Sequence, residues 1–521
     1  MARRAEWILA ILGGVLMLVG GTLIRKNRLP VRSLVLNDGC HTPASVMDRP
    51  ITWIPEGASL RYYAIVIHGL SGNRRVMYSI GQRLAEIGMR VYLLDSPGEG
   101  DSTGHFSFGD AERCAAEAVG SLARSGQIEL NRTVFVGHSL GGAIAVRLAD
   151  FFPEAAGTVA ISPAPLVLPR HIPPNLLIIS AQFDPPQLVN AAHELFNAAG
   201  GARGSPEDFR QQRAVEFLRI PLAMHSSVLV DSRSTSAAAD WAARSLGIPQ
   251  RGTMAKFEGL RLLGCVIALA GLLLVFPGGV SLTCWLCRVA PSAGSDGAVS
   301  PQGRAGAPSS MGPTGILLRG GVAAVVAAGI MMLGVPLHAL RLYAADYLAS
   351  FVVFAGLLLL ALLPRAMRAD AGIQSRPVLA AIVFGIGAAM AVGAALNWQV
   401  FDLWPNAPRW WRFVPLALAC WPYFAAEELA LGPLRVSRNF RRWGIFLGLR
   451  LELFFALALG YYGFGSGEFL PLLIAPALLI LSVAQRLGGD ALRRRTGSAA
   501  AAATFDAILA AWFLATVFPL R

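Results

Sequence analysis

Between Val31 and Pro249 the hydrophobic positions fall into short, nearly continuous runs, separated by stretches with helical spacing. "YYAIVIHG" (Tyr62 to Gly69), "RVYLLD" (Arg90 to Asp95), "TVFVGHS" (Thr133 to Ser139), "GTVAIS" (Gly157 to Ser162), "NLLIISA" (Asn175 to Ala181) and "AVEFLRI" (Ala214 to Ile220) predict strands. Runs that are apolar at successive positions suit a sheet buried on both faces. Arg74 to Ile87, Asp110 to Arg124 and Gly142 to Phe151 predict helices between them. This alternation predicts a mostly parallel, doubly wound α/β sheet over residues 29–250.

Outside that region the pattern becomes one of long apolar spans. Trp7 to Ile24 is preceded by Arg3 and Arg4 and followed by "RKNR" at Arg25 to Arg28. No small-x-small cleavage site closes it, so residues 1–28 are expected to be an uncleaved signal anchor, with cleavage near Gly20 or Gly21 as the alternative. Residues 251–521 predict a bundle of about eight transmembrane helices, near 260–280, 316–336, 345–363, 377–396, 413–431, 445–463, 469–485 and 503–519. Residues 290–315, rich in Ala, Ser, Gly and Pro, read as a flexible loop.

Composition supports a membrane protein. The mean hydropathy is +0.52, with 54% apolar and only 15% charged residues, which is unusual for a soluble chain of 521 residues. The net charge of +13 comes almost wholly from arginine. Nucleic acid is one partner such charge suggests, but here the arginines sit in short loops between spans, where topology explains them better. One set of alternate loops carries Arg288 and Arg304, Arg365, Arg368 and Arg376, Arg435, Arg438, Arg441 and Arg442, then Arg486 and Arg493 to Arg495; the other carries only Arg341, Arg409 and Arg412. The positive-inside rule puts the first set in the cytoplasm and the α/β domain outside it, as in a bacterial inner membrane. The "RKNR" run opposes this assignment. The six cysteines form no metal spacing; Cys284 and Cys287 are a lone C-x-x-C, read as a helix end. Cys40 and Cys114 are the only pair in the α/β region, and the sequence leaves open whether they are bridged.

The chemistry gathers around "VFVGHSLGGAIAVR" (Val134 to Arg147). With 55 glycines in the chain, a bare G-x-S-x-G proves little. Its setting says more, because Ser139 follows a buried strand and precedes a helix opening on Gly141 and Gly142, the small neighbours that a strained strand-to-helix turn needs. A hydroxyl nucleophile needs a base. Asp184 in "IISAQFDPP" and His225 in "IPLAMHSSVL" each follow a strand, so with Ser139 they share the carboxyl-end edge of a parallel sheet. In this arrangement Ser139 attacks a carbonyl, His225 carries the proton, and Asp184 orients the imidazole. The backbone N–H groups of Leu140 and of Leu70, in "VIHGLSGN", are the candidate oxyanion donors.

"IHGLSGN", "LLDSPGEGDST", "VGHSLGG", "QFDPP" and "MHSSVL" resemble, in order and spacing, the α/β-hydrolase superfamily, nearest its serine-aminopeptidase and lysophospholipase-like branch. The resemblance covers about Tyr62 to Leu246 and implies the α/β-hydrolase fold with a serine-hydrolase activity. It departs from many members in one respect. "SPAPLVLPRHIPP" (Ser162 to Pro174) is too short and proline-rich for a helical cap, which implies little or no cap.

Other polar residues read as structural. His138 is expected to pack away from the nucleophile, His68 to shape the oxyanion loop, and His105 to sit in a solvated loop or line the pocket. Asp95 and Asp101 read as turn residues. Asp231 is a second acid candidate that breaks the chain order, and His41, His171 and His193 read as surface residues. In the membrane half Glu427 and Glu428 stand out beside Arg319, Asp346, Arg450 and Glu452. The pair resembles the EE motif of membrane CAAX-type proteases, but Gly432 replaces the usual arginine and His338 is the only histidine of this half. Interhelical bonding or a snorkelling pair is the plainer reading.

The expected function is a membrane-bound serine hydrolase of carboxylic esters, thioesters or lipid acyl groups. An aminopeptidase-like amide hydrolase, or a transporter or scaffold carrying a hydrolase module, are the alternatives. No cofactor, metal or nucleic acid is expected.

Overall fold

The computed structural model of the chain describes residues 2–48, 62–165, 167–248, 256–290, 311–334, 338–368, 373–397, 403–432, 439–465 and 469–521. They group into two compact units. One comprises Gly20–Val266, Ala395–Asp402 and Val517–Arg521; the other comprises Met1–Val19, Ile267–Ala394 and Leu403–Thr516.

The first unit is built on an eight-stranded sheet. In chain order its strands are β1 (Val31–Val35), β2 (Pro43–Met47), β3 (Tyr63–Ile67), β4 (Arg90–Leu94), β5 (Thr133–His138), β6 (Gly157–Ile161), β7 (Leu176–Phe183) and β8 (Val215–Met224). They lie in the order β1-β2-β4-β3-β5-β6-β7-β8. The pairs from β4 to β8 are parallel, while β1 with β2 and β2 with β4 are antiparallel. All six predicted strands form. The two antiparallel strands do not announce themselves in sequence. "PASVM" of β2 is broken by Pro43 and Ser45, and becomes a strand by pairing with β4, where the buried Ser45 hydroxyl meets Tyr78 at 3.2 Å. Helices α2 (Tyr78–Glu86), α3 (Phe108–Arg124), α4 (Leu140–Phe151), α5 (Pro186–Ala198), α6 (Pro206–Arg210) and α7 (Ser232–Leu246) lie between or after the strands; α1 (Ala2–Lys26) precedes them.

Continuous burial of the strands has a simple cause. Val159, Ile161, Leu177 and Ile179 pack in one core with Ile80 and Leu84 of α2 and Trp241 of α7. Their neighbours Ala160, Leu176 and Ile178 pack in another with Val146 of α4 and Leu195 of α5. Side chains alternate between two apolar layers, so nearly every position of these inner strands is apolar. A disulfide joins Cys40, between β1 and β2, to Cys114 of α3 across 74 residues. Closing a loop of that length stabilises the fold by about 4 kcal/mol in the chain-entropy account.

The second unit is helical. Its elements are the first part of α1, most of α8 (Lys256–Leu286), and then α9 (Pro313–Met331), α10 (Ala345–Leu362), α11 (Arg365–Arg368), α12 (Ser375–Asn397), α13 (Trp410–Leu431), α14 (Asn439–Ala458), α15 (Leu470–Leu473), α16 (Ala475–Thr496) and α17 (Ala499–Val517). Among the described residues seven helices are long and apolar enough to cross a membrane: Ala5–Lys26, Gly259–Leu286, Pro313–Met331, Ala345–Leu362, Ser375–Ala395, Phe440–Gly463 and Ala499–Val517. The spans expected near 413–431 and 469–485 fall on α13 and on α15 with α16. They are helical but not among the seven. Most of the expected 290–315 loop lies outside the described residues. Cys284 and Cys287 are free thiols at the end of α8.

Ion pairs explain the polar residues of α13 and α16. Glu427 and Glu428 are fully buried, so they do not snorkel. Arg450 pairs with Glu427 at 2.8 Å. Arg486 bridges Glu428 at 2.6 Å and Asp490 at 2.5 Å, with Arg442 and Arg493 near the same acids. Buried charges persist only when each finds a partner, and here the partners of the α13 glutamates come from two other helices, α14 and α16.

Candidate functional site

The carboxyl-end edge of the sheet collects the candidate residues. His68 to Leu70 follow β3, Ser139 follows β5, Ser162 follows β6, Asp184 follows β7 and His225 follows β8. Ser139 has φ 54° and ψ −118°, a backbone conformation that costs a non-glycine residue free energy and persists only when its surroundings hold it. Here they do so from both sides. Its N–H donates to Ile161 O at 2.9 Å, and its carbonyl accepts from Ala143 and Ala164 at 3.1 and 2.9 Å. The turn is also tight enough to demand small residues: a Cβ on Gly141 would lie 2.3 Å from Ile67 O. The strain presents the hydroxyl at the N-terminus of α4, where the helix dipole favours negative charge.

Asp184 and His225 meet. His225 Nδ1 lies 2.8 Å from Asp184 Oδ1. A carboxylate can only accept, so Nδ1 carries a proton, and in the neutral ring the lone pair is then on Nε2. The other carboxylate oxygen is saturated, accepting from Ser162 Oγ at 2.6 Å, Ser180 Oγ at 3.2 Å and the Ala181 N–H at 2.7 Å. Burial alone would raise the acid's pKa, but the bonds from His225, Ser162 and Ala181 outweigh it and hold Asp184 below the usual carboxylate range. Ser162 and Ser180 carry no motif that marks them in the sequence as site residues. Their only signal was position, one at the end of β6 and one late in β7.

His138 does more than fill space. Its Nε2 lies 2.9 Å from the His225 carbonyl, and the two rings sit 4.5 Å apart. It therefore holds the segment that carries His225. Burial, reinforced by the neighbouring imidazole, pushes its pKa down to about 3, so the ring stays neutral. Among the described residues the Ser139 hydroxyl makes no hydrogen bond to His225. Such contacts are commonly long in resting sites and tighten only with substrate.

The loop after β3 comes close to the serine. A Cβ on Gly69 would lie 2.8 Å from Ser139 Cβ. Among the described residues the N–H groups of Leu70 and Leu140 donate to no protein acceptor, which leaves both available. His68 organises this loop: Nε2 accepts from the Ser96 N–H at 3.1 Å, so Nδ1 is the donor to Gly69 O at 2.8 Å. Burial lowers its pKa, against the opposing pull of Asp95, and keeps the ring neutral as this pattern requires.

The remaining candidates take structural places. Asp231 caps α7 and pairs with Arg233 at 2.6 Å, while Asp95 and Asp101 pair with Arg74. His41, His105, His171 and His193 are exposed. Between β6 and β7 no helix forms among the described residues, so no helical cap stands there. Among the described residues no cluster of His, Cys, Asp and Glu has the arrangement to hold a metal ion.

Comparison with known proteins agrees with this architecture. Residues 64–275 match the alpha/beta hydrolase family. Over 133 residues the chain is 29% identical to a protein of Mycobacterium phage D29 assigned by its name to the non-heme haloperoxidases. That match covers 25% of this chain and 41% of the relative, so the chain spans less than half of that protein's length. Among solved structures, an esterase of the archaeon Pyrobaculum calidifontis superposes with TM-score 0.33 at 14% identity, covering 46% of this chain and 93% of the esterase. A hormone-sensitive lipase from a metagenome library gives 0.31 at 16%, covering 48% and 99%. With its sheet order, its strained Ser139 and this family match, the chain carries a domain of the α/β-hydrolase superfamily.

Proposed function

We propose that the protein is a membrane-bound serine hydrolase that cleaves carboxylic esters through an acyl-enzyme. The observation that carries this reading is the Asp184–His225 pair at 2.8 Å, set on the same sheet edge as a strained Ser139. His225, with Nε2 free, takes the proton from Ser139 Oγ as it attacks the acyl carbon. The Leu70 and Leu140 N–H groups receive the oxyanion. His225 then returns the proton to the leaving alcohol, and water releases the acid by the same steps in reverse. Asp184 keeps the imidazole in the working tautomer and stabilises its cation.

An apolar acyl group fits the surroundings. Val167, Leu168 and Ile172 are exposed in the link between β6 and β7, and Phe183, Leu222 and Met224 are exposed near the carboxyl ends of β7 and β8, just before Asp184 and His225. Purified full-length protein should therefore hydrolyse p-nitrophenyl acyl esters well above aminoacyl anilides. A preference for the anilides would overturn the ester reading in favour of a peptidase.

The domain is assigned to the extracytoplasmic side. The arginine distribution supports this, and so does the Cys40–Cys114 bridge, since disulfides persist in oxidising compartments. A phosphatase reporter, active only outside the cytoplasm, fused after Gly247 should be active. A silent fusion, with activity instead from a cytoplasmic reporter at the same position, would contradict the assignment.

A further inference from the structure

We infer that Glu99 and Leu520 are positioning residues for the oxyanion loop, acting through the backbone of Leu70 and Ser71. The inference rests on the serine-hydrolase reading above and adds to it how the donor is aimed. In a trans peptide the C=O and the next N–H point in opposite directions. Fixing Gly69 C=O therefore fixes the direction of the Leu70 N–H. Gly69 O accepts from His68 Nδ1 at 2.8 Å and from the Gly72 N–H at 3.0 Å. The following peptide is fixed by a different residue. The Ser71 N–H donates to Glu99 Oε1 at 2.5 Å, and Ser71 is held at φ 59°, a conformation a serine rarely adopts unaided. Glu99 is 1% exposed, so the bond has no competition from water. Without it nothing described holds the Ser71 amide, and the Leu70–Ser71 turn can relax.

The loop that carries Glu99 is itself stapled. Leu520 N–H donates to Gly98 O at 2.8 Å, and Phe106 N–H donates to Leu520 O at 2.6 Å. His105 Nδ1 reaches the Arg521 carbonyl at 3.1 Å. Leu520 thus bonds to both ends of the Gly98–Phe106 loop. The residues doing this lie more than 400 positions away in sequence, directly after α17, and group with the α/β unit.

The test compares Glu99→Leu with Glu99→Gln, and Leu520→Pro with Leu520→Ala, in the full-length protein. Glutamine keeps an acceptor for Ser71, and alanine keeps both Leu520 backbone bonds; leucine and proline each remove one. Glu99→Leu and Leu520→Pro should lower kcat for p-nitrophenyl butyrate about 10- to 100-fold, part of the cost of losing an oxyanion donor, with KM within about threefold. Glu99→Gln and Leu520→Ala should stay within about threefold of the parent. Amide hydrogen exchange of peptides spanning residues 66–76 should quicken in Glu99→Leu and Leu520→Pro only, a readout that needs no turnover. Wild-type kcat and exchange in Glu99→Leu, or equal losses in Glu99→Gln, would overturn the inference. Quickened exchange in a protein that hydrolyses no ester would defeat the parent reading and leave the staple standing.

Discussion

Replacing Ser139 by alanine is expected to lower ester turnover by about five to six orders of magnitude, the scale seen when a triad nucleophile is lost. The change removes one oxygen and leaves the turn intact, because Ser139 N–H and C=O, not its side chain, are bonded to Ile161, Ala143 and Ala164. The variant should fold, bind substrate with little change in affinity, and fail at the chemical step. Residual turnover should come only from the oxyanion donors acting on water. A loss of less than about tenfold would mean that the ester is hydrolysed elsewhere.

Asp184→Asn should cost about four orders of magnitude in kcat, and the structure gives the reason in terms of which atom must turn inward. Oδ2 of Asp184 accepts three hydrogen bonds, from Ser162, Ser180 and Ala181. An asparagine must place its carbonyl there, because an NH2 would meet three donors. Its NH2 then occupies the position opposite His225 Nδ1, where a donor is needed least. The imidazole answers by moving its proton to Nε2, and the lone pair that should receive the Ser139 proton is gone. The defect is one of tautomer rather than of folding, so kcat should fall far more than KM rises. A variant with near-normal kcat would show that Asp184 does not orient the base.

The edge that carries the candidate site is legible in the sequence because it is made of local signals. A strand followed by Gly-His-Ser-Leu-Gly, a strand followed by Asp184 and a strand followed by His225 each announce themselves within ten residues, and topology brings their ends together. What sequence did not carry were long-range bonds. Ser162 and Ser180 look like ordinary strand serines until Asp184 folds against them. Glu99 sits in a glycine-rich loop that reads as a turn, and Leu520 follows the last apolar helix; neither has a local pattern that points to Ser71 or Gly98. His138 reads as a packing residue in the sequence, and its bond to the His225 carbonyl emerges only with the fold of β8. In the helical unit, Glu427 and Glu428 stand out in the sequence as costly residues in an apolar run. Their arginine partners on α14 and α16 carry no such mark, because pairing across helices leaves no periodicity within either one.

We propose Ser139 as an activated nucleophile. Its most direct test is to treat the full-length protein with a fluorophosphonate and map the adduct by peptide mass spectrometry. A single phosphonyl adduct on Ser139, absent from Ser139→Ala and strongly slowed in Asp184→Asn, is the predicted result. An adduct on another residue, or undiminished labelling of Ser139→Ala, would contradict it.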